Sequence, residues 1–219
     1  MNSAGEAVPV TAERSAVFPV AARPVSSGFL RGYRLWTRCR ARLFSLLCSG
    51  AFHSFGRKSV IMPPLRVGGE THIAIGKQVF IGPGSWLQVI ATDEELSSPV
   101  VQIGDGTRIV GSCTITAARS VIIEKNVLMA ARVYVSDHIH AHGSRTVPIV
   151  EQGIAGIRPV RIREGAWIGQ NVVICPGVTI GRNAVIGANS VVRKGVPDFC
   201  VAAGAPARVI REVDQTVQK

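Results

Sequence analysis

The chain has 219 residues, the length of one ordinary domain or of one repeat domain with extensions. Lys and Arg outnumber Asp and Glu by 25 to 14, a formal net charge of +11. Aromatic residues make up 5% and hydrophobic residues 47%, which disfavours an ordinary globular core and suits a narrow interior of stacked aliphatic side chains. The five cysteines, Cys39, Cys48, Cys113, Cys175 and Cys200, are odd in number and lack paired spacing. They read as reduced thiols of a cytoplasmic protein rather than as a disulfide framework or zinc site. No apolar run reaches the roughly 18–20 residues a membrane span needs, and the first residues show no signal-peptide pattern.

Residues 1–27 contain Pro, Ala and acids without periodicity and are expected to be disordered. Residues 28–60 follow as a basic extension, with seven Lys or Arg and no acid between Phe29 and Ser59. Arg31, Arg34, Arg38 and Arg42 recur at helical spacing, with Phe29, Tyr33, Trp36, Phe44 and Leu47 tending to another side. Such a basic amphipathic helix fits an anionic membrane surface, here through residues 28–58. It fits equally a cap over the open first coil of a repeat fold. Nucleic acid is not an expected partner, because stacking aromatics and a recognised module are missing.

From residue 61 to 203 the pattern changes to a period of six. Ile162, Ile168, Ile174, Ile180, Ile186 and Val192 follow one another without interruption. The third residue after each is Gly165, Asn171, Gly177, Asn183, Asn189 and Gly195, the two residue types that most readily take a left-handed backbone. Each hexad therefore encodes one short strand and one tight corner. Earlier hexads begin at Ile75, Ile81, Ile103, Ile109, Ile115, Ile123, Met129 and Val135, with a slip of phase between Ile115 and Ile123. Insertions interrupt the pattern at 88–101 and 137–161. Three strands bring the chain round to stack on itself at the usual strand spacing, so an all-β parallel β-helix is expected. Residues 204–219 form a C-terminal tail.

The stretch GAWIGQNVVICPGVTIGRNAVIGANSVVRKGVPDFCVAAGAPARVIRE, Gly165 to Glu212, resembles the hexapeptide-repeat acyltransferases. A second anchor is YVSDHIHAHG, Tyr134 to Gly143, which matches the segment carrying that family's catalytic histidine. Within the family the chain looks most like the maltose and galactoside O-acetyltransferases and the O-acetyltransferases of surface polysaccharides. The resemblance implies a left-handed helix, a homotrimer and acetyl-CoA as acyl donor.

It also implies roles for particular residues. His138 is the general base that takes the proton of an attacking hydroxyl, a task for which an imidazole with an unperturbed pKa near 6.5 is suited. Asp137 or Glu164 is a candidate to orient the imidazole, although a sequence neighbour points the other way on a strand. Trp167, Gln170, Ala188, Arg193, Lys194, Arg208 and Arg211 match coenzyme-contacting positions. Gln170 and Arg193 depart from the small hydroxyl residues usual there. Alternating His138, His140 and His142 raise a zinc reading, but no other coil offers a histidine at a matching position, and no metal is expected. The sugar-gripping helical module of the sugar acetyltransferases has no counterpart here.

The expected activity is acetyl-CoA-dependent O-acetylation of a sugar or glycan acceptor in exopolysaccharide, capsule or O-antigen synthesis. The expected location is cytoplasmic, with peripheral contact at the inner membrane face. Alternatives are acetylation of a xenobiotic or other small molecule, and a β-helix scaffold without activity.

Overall fold

The computed structural model describes residues 24–90 and 99–213. It divides into two units, residues 1–36 and 37–219. In the first, the described part is the leading portion of a helix that spans Pro24–Cys48, with the Tyr33 and Trp36 rings 6.0 Å apart. The expected disorder over 1–27 falls, for 1–23, outside the described residues; residues 24–27 are helical.

The second unit is a left-handed parallel β-helix of three sheets. The first sheet runs from Ser54–Phe55 to Thr179–Ile180, through Ile73–Ile75, Val101–Ile103, Val121–Ile123 and Val160–Ile162. The second begins at Val60–Ile61 and includes Phe80–Ile81, Arg108–Ile109, Leu128–Met129, Trp167–Ile168 and Val185–Ile186. The third runs from Leu65–Gly68 to Val191–Val192, through Ser85–Val89, Thr114–Ala117, Tyr134–Ser136 and Val173–Ile174. Coils thus start at Ser54, ahead of the position the hexad pattern first marks.

The register explains why one hexad position is aliphatic throughout. Ile61, Ile81, Ile109, Met129, Ile168 and Ile186 pair in succession along the second sheet, and none is more than 1% exposed. Ile75, Ile103, Ile123, Ile162 and Ile180 form the matching ladder of the first sheet, and Leu87, Ile115, Val135, Ile174 and Val192 that of the third. Burying each such side chain stabilises the stack by about 1.5–3 kcal/mol.

The corners explain the other periodic position. Three residues after a ladder residue the backbone is left-handed at Gly165, Asn171, Gly177, Asn183 and Asn189. The same holds at Asn126, and at Lys58, Gln78, Ser112 and Arg132, whose side chains do not favour that conformation. Geometry therefore imposes the corner even where composition does not announce it. Gly195 departs, with no left-handed φ; there the chain leaves the repeat, and Val196 makes only an isolated bridge to Ile180.

Both ends of the stack are covered. Within the second unit, Ala41 and Ser45 of the helix are buried, and Phe44 and Cys48 pack against the core. Ser45 Oγ accepts from Ile61 N at 2.8 Å and donates to Ala41 O at 2.7 Å, which ties the helix to the first coil. Residues 37–48 thus close the core that an open first coil would expose. At the far end, Cys200–Gly204 adds to the second sheet and pairs antiparallel with Ala207–Glu212. Of the two expected insertions, the first begins as the strand Ser85–Val89, and its residues 91–98 lie outside the described set. The second carries an antiparallel pair, Ile139–His140 with Ile154–Ala155.

Candidate active site

On the edge that follows the third sheet, the corners after Ile115 and after Val135, on successive coils, are not left-handed. At the first, two additional residues between Ile115 and Ile123 turn the backbone so that three consecutive N–H groups converge. Ala118, Arg119 and Ser120 donate to the Asp137 carboxylate at 2.8, 2.7 and 2.8 Å. At the second, the strand Tyr134–Ser136 ends and the chain departs into the insertion with Asp137 and His138. Asp137 is inaccessible and His138 is 7% exposed.

Asp137 Oδ1 lies 2.8 Å from His138 Nδ1. Burial pushes the Asp137 carboxyl upward, but the His138 bond and the three backbone N–H groups outweigh it and hold the group below the usual carboxylate range. An ionised Asp137 can only accept, so His138 Nδ1 carries a proton, and in the neutral imidazole Nε2 keeps the free lone pair. Ser136 steadies the turn: its Oγ donates to His138 O at 2.7 Å and accepts from His138 N at 3.2 Å. Arg158 N donates to Asp137 O at 2.7 Å and closes the base of the insertion.

Strand alternation would turn Asp137 away from its neighbour, but both residues lie beyond the last paired position, where alternation no longer applies. Glu164, the other candidate orienter, is elsewhere; its Oε1 lies 3.2 Å from Lys125 Nζ. His140 sits in the antiparallel pair, exposed, and His142 Nδ1 approaches His140 O at 3.0 Å rather than the His138 ring. Among the described residues no three His, Cys, Asp or Glu side chains are grouped as metal ligands.

The coenzyme candidates fall into two sets. Trp167, Val185, Val201 and Arg211 pair in one row across the second sheet, with Trp167 50% exposed and Arg208 on the same closing strand as Arg211. Gln170 and Ala188 occupy successive coils at the next edge, where Asn189 N donates to Gln170 O at 2.8 Å. The other set, exposed Arg193 and Lys194, follows Val191–Val192 on the edge that carries His138, two coils further on. In a triangular prism the second sheet is the face opposite that edge. One chain therefore does not unite His138 with Trp167.

The three backbone donors and Ser136 are the site groups that residue identity did not reveal. The signal that could have found them is the slip of phase between Ile115 and Ile123, since an irregular coil beside a histidine must place its extra backbone somewhere.

Comparison with known proteins agrees with this architecture. The family described as bacterial transferase hexapeptide (six repeats) matches residues 159–194. A putative lipopolysaccharide biosynthesis O-acetyl transferase of Escherichia coli K12 is 30% identical over 159 residues, 70% of this chain and 78% of that protein. A probable acetyltransferase of Mycobacterium tuberculosis is 36% identical over 158 residues; the match spans 64% of this chain but only 52% of that longer protein. Among solved structures, a galactoside acetyltransferase in complex with coenzyme A superposes with a TM-score of 0.53 at 31% identity, over 78% of this chain and 70% of that one. With its continuous hexads, its three-sheet prism and these relatives, the chain belongs to the hexapeptide-repeat acyltransferase family.

Proposed function

We propose that the protein transfers an acetyl group from acetyl-CoA to a sugar hydroxyl, with His138 as general base. The observation that carries this reading is the Asp137–His138 pair, which leaves Nε2 of a nearly buried imidazole as the free base. His138 Nε2 takes the proton of the acceptor hydroxyl as its oxygen attacks the thioester carbonyl. The tetrahedral intermediate collapses, the C–S bond breaks, and the imidazolium returns the proton to the coenzyme thiolate. Asp137 stays ionised throughout and stabilises the imidazolium.

Trp167, Gln170, Ala188, Arg208 and Arg211 of one copy would face the His138, Arg193 and Lys194 edge of the next, in a homotrimer with the coenzyme between copies. The cations supply partners for coenzyme phosphates. The relatedness to a putative lipopolysaccharide O-acetyl transferase supports a cell-surface glycan, or its lipid-linked precursor, as acceptor. The basic helix supports peripheral attachment at the inner membrane face. Its described apolar side chains include exposed Phe29, Leu30, Trp36, Leu43, Leu46 and Leu47, and among the described residues no helix is long and apolar enough to cross a membrane. Comparing surface glycans by mass spectrometry in cells with and without the protein tests the assignment. Loss of an O-acetyl group on one glycan is the expected result; an unchanged glycan profile with a newly unacetylated small molecule would refute the polysaccharide acceptor.

A further inference from the structure

A second site lies on another side of the prism from the His138 edge, toward the base of the β-helix, where the helix segment 37–48 meets the first coils. A cavity of about 560 Å³ there is lined by Arg42, Arg57 and Lys58 together with Ser49, Leu46 and Phe55. Two further cavities of about 550 and 480 Å³ share lining residues with it and with each other. They carry it across Val60 and Phe80 to Arg38 and Arg108. Five cations thus border one groove of adjoining cavities, and among the described residues no acidic side chain lines any of the three.

Among the described residues, none of these five side-chain charges has an ion-pair or hydrogen-bond partner within the chain. Some cations elsewhere on the β-helix do find partners, as Arg161 does with Glu124 and Arg163 with Asp198. The helix end does not by itself explain the cluster, because side chains already engage two of its last carbonyls: Ser49 donates to Leu46 O and Cys48 to Ser45 O. Convergent like charges repel unless an anion offsets them, and guanidinium groups match phosphate oxygens in geometry and charge.

The apolar part of the groove narrows the ligand class. Val60 and Phe80 floor the groove between the cations, and Leu46 at its rim is 73% exposed, with Leu43 and Leu47 also exposed on the same helix segment. A small hydrated anion has no use for that surface; the head of an amphiphile does.

We propose that this groove is a phosphate-binding site that takes the phosphate or diphosphate group of a lipid-type amphiphile, with Arg42, Arg57, Lys58 and Arg108 contacting the phosphate oxygens. The site is built from the β-helix as much as from the helix, so it differs from diffuse adsorption of a basic helix to a charged surface. It does not depend on acyl transfer, because binding is read without turnover.

The test is calorimetric titration of the full chain with farnesyl diphosphate below its micelle concentration, with inorganic diphosphate, and with farnesol. Saturating coenzyme A is present throughout, to occupy the coenzyme site. Farnesyl diphosphate is expected to bind at least about ten-fold more tightly than either fragment. Arg57→Gln with Arg108→Gln should weaken it by about ten-fold or more, as expected for lost charge-assisted hydrogen bonds. Arg145→Gln with Arg182→Gln removes the same charge elsewhere and should leave affinity within about two-fold. Thermal melting verifies that both variants fold, and Arg42→Gln gives an independent single change in the same direction. Equal affinity for inorganic diphosphate would assign the groove to a soluble phosphate compound and overturn the lipid class. Absence of binding, or equal weakening in both double variants, would overturn the site.

Discussion

Asp137 and His138, neighbours in sequence, face one another with 2.8 Å between Oδ1 and Nδ1, and the aspartate is itself gripped by three backbone N–H groups from the preceding coil. The pair is thereby fixed by covalent structure on one side and by the β-helix on the other. Asp137→Asn should preserve the shape but present an amide N–H to His138 Nδ1 or to the backbone donors. The imidazole would shift toward the tautomer with Nε2 protonated, and kcat should fall by about 10² or more. Rescue by raising pH is not expected, since the lost element is the tautomer and not a proton.

The same carboxylate makes a prediction for stability. Its pKa in the folded protein is depressed, so its contribution is fully present above the unfolded value, about 3.9, and is lost as pH falls through the lower folded value. Wild type should exceed Asp137→Asn by about 1.5–3 kcal/mol in urea unfolding at neutral pH. The gap should close progressively below about pH 4. A gap that is constant with pH would show that the backbone donors gain nothing from the charge.

Ser45 tests the cap. Ser45 is 4% exposed and its hydroxyl accepts from Ile61 N, so Ser45→Ala strands a buried donor at the first coil. The expected loss is about 1–3 kcal/mol in denaturant unfolding with little change in turnover. An unaltered midpoint would mean that the helix segment closes the core through Ala41 and Phe44 alone.

Much of this architecture was legible in the sequence, for a physical reason. A β-helix repeats one environment, so Ile162, Ile168 and Ile174 report their surroundings by period alone. Left-handed corners at Gln78 and Arg132 were not legible from residue type, because the stacked coil enforces a conformation those side chains merely tolerate. The histidine segment was recognisable, whereas the orientation of Asp137 was not. Strand alternation holds only while the ladder continues, and the ladder ends at Ser136. The cap was one of two readings the basic helix offered, but the groove at the base was hidden, because seven cations without acids describe a charge balance, not which of them converge.

Assembly follows from the separation of His138 and Trp167 on an edge and its opposite face. If two copies complete each site, co-expressed His138→Ala and Trp167→Ala chains should regain activity that neither recovers alone. Sedimentation equilibrium should show a trimer. A fully active monomer, or mixed oligomers no better than their parents, would place the whole site within one chain.

The basic helix predicts peripheral attachment. Replacing Arg31, Arg34, Arg38 and Arg42 with Gln keeps helix propensity while removing about 1 kcal/mol of surface attraction per charge. Co-sedimentation with anionic vesicles should fall sharply, and turnover of a small soluble acceptor should persist. Wild-type protein that never pellets with such vesicles would leave the segment as a cap alone.

The central claim is that His138 is the base. Steady-state kinetics with acetyl-CoA and a soluble sugar acceptor, run on His138→Ala and His140→Ala in parallel, tests it most directly. His138→Ala should lose about 10²–10⁴ in kcat with coenzyme affinity near wild type, while His140→Ala, whose side chain is exposed in the insertion, loses far less. Equal losses in both variants, or a larger loss at His140, would contradict the account.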